Sequence, residues 1–214
     1  INIGQFSVEF FSVNHSIPDC AGIYIETPGG AKFVHTGDFK IDHTPAIDLP
    51  ADLAKIARIG TEGVKLYIGD SLWSQRPWFA ISEKVIGQNL DKVIKDAKGR
   101  LVISTFASNV GRVIQIIESA ARLGKVVFLS GRSMIGYTEV AAELWYIRVP
   151  EWVIRKVESS DINTMPDEKI IVLSTGAQGE EFSALARMSR GEFQYFQLKP
   201  GDTVLTSSSA IPGN

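Results

Sequence analysis

Two short stretches early in the chain carry residues able to hold a metal. His15 sits just past a strand-like run, in Asn14-His15-Ser16-Ile17-Pro18-Asp19. Asp38 follows a second such run, in His35-Thr36-Gly37-Asp38-Phe39-Lys40. Imidazole nitrogen and carboxylate oxygen are both zinc donors, and strand ends are rigid enough to bring two of them onto one ion. Against this, aspartate is an ordinary turn former, and two ligands do not fill a tetrahedral site. His35 falls within a strand and His43 in a loop before Pro45, so neither is a natural third ligand.

A second kind of chemistry lies further on. Four strand-like runs lead into loops rich in Ser, Thr and Gly. They are Ser104-Thr105-Phe106-Ala107-Ser108-Asn109, Ser130-Gly131-Arg132-Ser133-Met134, Ser174-Thr175-Gly176-Ala177-Gln178-Gly179-Glu180, and the run from Ser207 to Asn214. In a parallel sheet all four share the carboxyl edge, where ligands bind. Hydroxyls, backbone N–H groups and helix N-termini there suit phosphate oxygens. The plainer reading is that Ser108 and Ser133 cap helices. Four such loops, one with Arg132, favour a phosphate-binding edge. None is a Walker loop, since no Gly-Lys-Ser/Thr follows, and none has the dinucleotide glycine pattern. Trp73 and Trp78, flanking Arg76 and Pro77 in a loop, are candidates for stacking on bases. Trp152 is a weaker candidate, and Trp145, on an apolar helix stripe, is expected in the core.

The elements that must position these residues follow from periodicity. Phe6 to Val13, Ala21 to Thr27 and Ala31 to Thr36 read as strands, with Pro28-Gly29-Gly30 as a hairpin turn. Asp52 to Ile59 reads as a short helix ending at Gly60. From Val64 the texture becomes strand, loop, helix, repeated. Strands are expected at Val64 to Gly69, Leu101 to Ile103, Val126 to Leu129, Ile170 to Leu173 and Thr203 to Thr206. Helices are expected over Ser82 to Ala97, over the segment with Val110, Val113, Ile114 and Ile117, and over one burying Tyr137, Val140, Ala141, Leu144 and Trp145. Gly176 to Glu180 is expected to open a further short helix. This alternation predicts an α/β fold with a mostly parallel sheet. A boundary is placed between residues 1–68 and 69–214.

The 214 residues are enough for one large domain or two small ones. The 44% hydrophobic and 21% charged content is that of a globular protein. No apolar run approaches the ~20 residues that span a bilayer, and no basic leader precedes an apolar stretch. The chain opens at Ile1 directly in strand-like sequence, which predicts a segment cut from something longer. Lone Cys20 makes no internal disulfide and fits a reducing cytoplasm. The net charge of -2 lacks the basic field of a general nucleic-acid binder, so any such binding must be local.

The motifs together resemble the ribonuclease J family, in the β-CASP branch of the metallo-β-lactamase-fold nucleases. The His15 and Asp38 stretches resemble two metal motifs of that family. Asp70-Ser71 with Arg76-Pro77 resembles its first β-CASP motif. The Ser104–Asn109 loop, Gly131-Arg132-Ser133-Met134, Thr175-Gly176 with Gln178-Gly179-Glu180, Gly201-Asp202-Thr203 and Ile211-Pro212-Gly213-Asn214 extend the likeness to the chain's end. The resemblance implies part of a metallo-β-lactamase-type β-sandwich layer over 1–68 and a parallel-sheet β-CASP domain over 69–214. It implies a cytoplasmic, zinc-dependent ribonuclease, cutting RNA both internally and from a 5′ monophosphate in the 5′-to-3′ direction, with no membrane attachment and as a homo-oligomer.

In that picture His15 ligates one zinc, Asp38 bridges two, and Asp70 supports the rim of the catalytic site. Ser104, Ser108, Arg132, Ser133, Gly176, Gln178, Gly179, Glu180, Ser207 and Ser208 hold the RNA backbone and 5′ phosphate. The family's main His-x-His-x-Asp-His motif would precede Ile1 and its later histidines would follow Asn214. This segment alone is therefore expected to hold zinc weakly and to be inactive. Ala177 stands where the family usually has Ser, and Leu72-Trp73 where it usually has Thr-Asn. Two other readings stay open: a non-catalytic RNA-binding module, and a sibling nuclease acting on DNA.

Overall fold

A computed structural model describes residues 1–72 and 74–208. Trp73 and the Ile211-Pro212-Gly213-Asn214 motif lie outside the described residues, as do Ser209 and Ala210. The chain divides into two compact units, Ile1–Ile86 and Gly87–Asn214. The sequence pattern had placed the change of architecture at 68/69.

The first unit is a five-stranded sheet in chain order: β1 (Asn2–Ile3), β2 (Phe6–Ser12), β3 (Ala21–Glu26), β4 (Lys32–His35) and β5 (Leu66–Ile68). The first four run antiparallel and β5 joins β4 in parallel. The parallel step needs a crossover, and α1 (Leu53–Glu62) supplies it. Asp52 accepts from the Lys55 amide and caps α1. The helix runs through Gly60, where the sequence had ended it, to Glu62. Glu62 is ion-paired to Lys32 and Arg58 and accepts from the Tyr24 hydroxyl, which together hold its carboxyl down to about 2. Gly63, at φ 76, then provides the left-handed exit. Ile59 packs with Phe11, Val13, Tyr24 and Val34 on one face of the sheet.

Helix α2 (Glu83–Asp96) begins in the first unit and ends in the second. Its first turn is tied to the β-sheet unit: buried Asp42 accepts from the Glu83 amide, and Lys40 pairs with Glu83. These bonds explain why the compact unit extends past residue 68.

The second unit is a wholly parallel sheet in the order β10-β6-β9-β7-β8. Its strands are β6 (Leu101–Ser104), β7 (Val126–Leu129), β8 (Ile154–Lys156), β9 (Ile170–Ser174) and β10 (Thr203–Thr206). Every residue of β6, β7 and β9 is buried. Such continuous apolar strands belong to sheets covered on both faces. Val102, Phe128 and Val172 pack with Met188, Phe193 and Phe196, while α3 (Val110–Arg122) packs against β7. The remaining α-helices among the described residues are α4 (Arg132–Glu143) and the six-residue α5 (Ala184–Ser189).

Helix α4 is rotated from the sequence expectation. Met134, Thr138 and Ala141 face inward, while Tyr137, Val140 and Leu144 are exposed. Thr138 can be buried because its hydroxyl donates to the Met134 carbonyl at 2.7 Å. Trp145, expected in the core, is 71% exposed beyond the end of α4, and the Arg148 guanidinium lies over its ring. Among the described residues no helix is long and apolar enough to cross a membrane.

Candidate functional site

In the first unit, strand register brings three chemically capable side chains to one edge. Ser12 pairs with Ala21 where β2 turns into β3. Ile23 pairs with His35, and His35 with Ile68, so β4 and β5 end at that same edge. His15 lies in the first turn, Asp38 follows β4 and Asp70 follows β5. All three are exposed. Two polar residues overlooked in the sequence hold these turns. Buried Asn14 accepts from the Lys40 amide through its carbonyl (2.8 Å), while its side chain donates to Leu49 O and accepts from Ala51 N. Buried Thr36 donates to Gly37 O at 2.7 Å and accepts from the Asp70 amide at 3.2 Å. His35 Nδ1 accepts from Gly37 N at 2.9 Å, so this imidazole serves the turn that precedes Asp38.

The donor types at this edge suit zinc, but the donor number does not complete a shell. Among the described residues no three His, Cys, Asp or Glu side chains gather closely enough to hold a metal. Burial pushes the Cys20 thiol up, the Ile17 carbonyl that accepts from its Sγ opposes this, and the Asp48, Asp19 and Asp38 carboxylates add to the rise. The carboxyl of Asp48 is itself raised, by burial and by Asp19.

In the second unit the Ser104–Asn109, Ser130–Met134 and Ser174–Glu180 loops leave the carboxyl ends of parallel strands, as expected, and so do Ser207 and Ser208, the described residues of the fourth. Adjacent loops are stitched together: Thr105 N donates to Ser174 O, Ser130 N to Leu173 O, and Ser207 N to Ser104 O. Ser208 Oγ donates to Ala177 O at 2.6 Å. Ser104, Ser174 and Ser130 are wholly buried side by side, and their hydroxyls have no hydrogen-bond partner among the described residues. Ser104 therefore lies beneath the loop surface.

Neither Ser108 nor Ser133 caps a helix. Asn109 caps α3, and α4 starts after Gly131 with no side-chain cap. Both serines are exposed, as is Arg132. Buried Arg112, missed in the sequence because it lies on an apolar helix, donates to Ser207 Oγ.

The Gly176–Glu180 segment does not open a helix. Gly176 and Gly179 have φ of 106° and 83°, which an α-helix excludes. Gly179 N closes a turn onto Gly176 O, and α5 starts only after Ser183, whose hydroxyl accepts from Ala186 N. A Cβ on Gly176 would overlap the Ser183 side chain. The Glu180 carboxylate accepts from Gln178 N at 3.1 Å, so it occupies a donor that an anion would use.

Residues 98–214 match the family described as the ribonuclease J beta-CASP domain. The chain belongs to the ribonuclease J family. It is 43% identical over 211 residues to ribonuclease J of Mycolicibacterium smegmatis, covering 99% of this chain and 37% of that protein. It is 41% identical over 215 residues to ribonuclease J of Thermus thermophilus, covering 100% and 37%. The chain thus spans little more than a third of the length of these ribonuclease J relatives. A crystal structure of a protein of unknown function from Enterococcus faecalis shares the fold, with a TM-score of 0.50 and 20% identity, over 80% of this chain and 39% of the other.

Proposed function

We propose that the full-length protein is a zinc-dependent ribonuclease that cuts RNA internally and also degrades it 5′-to-3′ from a 5′ monophosphate. The likeness to ribonuclease J along the whole chain carries this reading. The placement of His15, Asp38 and Asp70 at one sheet edge supports it. His15 and Asp38 would hold zinc, Asp38 between two ions, with the other ligands supplied from outside this segment. The metal would polarise the phosphodiester and supply a nucleophilic water.

The chain's own residues hold and orient. Asn14 fixes the His15 turn, and Thr36 links the Asp38 turn to Asp70 at the rim. On the second unit, Ser108, Arg132, Ser133 and the side-chain amide of Gln178 would present donors to the RNA backbone and 5′ phosphate, with Gly176, Gly179, Ser207 and Ser208 shaping the loops. Ser104 and Glu180 act within the edge as supports. The enzyme would work in the cytoplasm as a homo-oligomer whose contacts lie mostly outside this segment.

The test is metal analysis of the purified full-length protein, with cleavage of matched RNAs bearing 5′ monophosphate, 5′ hydroxyl or 5′ triphosphate ends. Bound zinc and preferred exonucleolytic use of the monophosphate are expected. Tight RNA binding without cleavage, with zinc added, would make the protein a non-catalytic RNA-binding module. Preference for the matching DNA would make it a DNA nuclease.

A further inference from the structure

The loop between β5 and α2 carries a feature that folding of the first unit does not account for. Trp78 is 92% exposed and Phe79 is 89% exposed. The same unit buries Phe11 and Tyr24, so it has a core for aromatic rings and excludes these two. Trp78 also has φ 79°, in the left-handed region that disfavours a bulky L-residue and suits glycine. Among the described residues two other non-glycine residues share that sign, and each has a local reason. Trp145 lies just after the last turn of α4, where helices commonly exit through such a conformation. Asp19 lies in a turn, and aspartate tolerates the geometry. Trp78 sits in a bend beyond any helix end. Strained backbone that presents an unburied ring points to function.

Both ends of this loop are fixed to the segment that carries Asp38. At its start, Asp70 N donates to Thr36 Oγ1 and Leu72 N donates to Asp70 Oδ1. At its end, Ser82 Oγ donates to Thr44 O, and Asp42 accepts from Glu83 N. Pro77 restricts the residue before it and stiffens the approach to Trp78. The loop that carries the two rings is therefore anchored at both ends beside the edge that holds His15, Asp38 and Asp70.

We propose that Trp78 and Phe79 form a stacking platform for unpaired bases of single-stranded RNA next to the cleavage edge. This rests on the ribonuclease reading above and adds a base contact to it. Stacking on an aromatic ring tolerates any base, because every base has a π-face. A nuclease that must draw in RNA of any sequence gains grip this way without choosing sequence. The loop also exposes Leu72 and Ile81, but its two adjacent aromatic rings are the more exposed, and with Arg76 close in sequence they favour nucleic acid over an aliphatic protein interface.

The test uses the full-length, metal-loaded protein with Trp78→Gly, Trp78→Phe and Phe79→Ala. Binding of a 5′-monophosphorylated single-stranded RNA is measured beside the same RNA made abasic. Melting temperature and solution mass are recorded for each variant. Trp78→Gly is expected to weaken binding of the natural RNA about tenfold, to leave abasic RNA unchanged, and not to lower the melting temperature. Trp78→Phe should recover most of the loss. Unchanged RNA binding by Trp78→Gly and Phe79→Ala overturns the platform while leaving the ribonuclease reading intact. A change in solution mass with RNA binding unaltered overturns it too and makes the loop a protein contact. Failure of the wild-type protein to bind or cut RNA sinks both.

Discussion

The two sheets of this chain solve different problems. The sheet of the second unit is parallel, and its three central strands are buried along their whole length. The sheet of the first unit has α1 on one face only. Its other face shows Phe6, Phe10, Leu66 and Ile68, each near half exposed. An uncovered apolar sheet face of this kind needs another layer against it. Among the described residues, the central strands of the second unit are thus covered on both faces, and the first unit's sheet is covered on one. Their chemistry differs in the same way. The first edge displays titratable side chains held by a few polar turns. The second edge displays hydroxyls and backbone N–H groups held by strand register. The former suits reaction and the latter suits grip.

The sharpest way to break that division is to remove one edge at a time in the full-length protein. Asp38→Asn should lower cleavage by more than the roughly 10–100-fold that loss of a supporting residue costs, with RNA binding largely kept. Arg132→Ala with Ser133→Ala should instead weaken RNA binding, with turnover of bound RNA largely kept. Single-turnover cleavage beside equilibrium binding separates the two. Equal loss of both quantities in both variants would show that the edges do not divide the work. Stability gives the next contrast. Phe128→Ala, in the closed sheet, should cost about 3–5 kcal/mol. Phe10→Ala, 50% exposed on the open face, should cost under about 0.5 kcal/mol in this segment, read by urea unfolding. A large effect at Phe10 in the full-length protein alone would mean that another layer covers it there.

An ion pair offers a pH-dependent version of the same contrast. Asp202, whose side chain is almost wholly covered, accepts from Arg100 Nε at 2.8 Å and from Lys199 N at 2.8 Å. Burial pushes its carboxyl up, but Arg100 and the Lys199 amide outweigh that and hold it below the ordinary aspartate value. A carboxyl depressed in the folded state contributes stability that is complete above its unfolded value of about 4 and is lost as pH falls through the folded value. Asp202→Asn should therefore cost about 3–5 kcal/mol at neutral pH and flatten the acid limb of the stability profile. Unfolding curves from neutral pH down to about pH 2 test it. An unchanged acid limb would assign that pH dependence to other groups.

The second unit was largely legible in the sequence because buried parallel strands announce themselves, whereas the short, half-exposed edge strand β8 was not read. Runs such as Val126 to Leu129, followed by Ser130-Gly131, fix both the strand and the edge to which its loop belongs. That the described loops share one edge then follows from topology alone. Helix α4 was misread because its apolar residues occupy two stripes. Tyr137, Val140 and Leu144 look like a core face until Thr138 is seen to satisfy its hydroxyl within the helix and turn inward. The supports of the first edge were not legible. Asn14 acts on Leu49 and Ala51, and Thr36 acts on Asp70, across spans that periodicity does not encode. The Gly176–Glu180 turn was misread for the opposite reason: glycines that could open a helix also permit the positive φ that prevents one.

That turn yields the smallest expected effect, and it tests whether the grip of the second edge lies in its backbone. Gly179 is exposed at φ 83°. A Cβ there costs roughly 1–2 kcal/mol in strain, and the stiffer unfolded chain offsets about 0.4–1 kcal/mol of it. Gly179→Ala should thus destabilise the unit by about 1 kcal/mol. Asparagine tolerates the left-handed region better, so Gly179→Asn should cost less. If the loop meets RNA through close backbone approach, both side chains stand in the way. Affinity for 5′-monophosphorylated RNA should then fall for both variants, although their stabilities differ. If affinity instead follows stability, with Asn close to wild type and Ala weaker, the glycine serves only the turn. The grip would then belong to the exposed hydroxyls and Arg132.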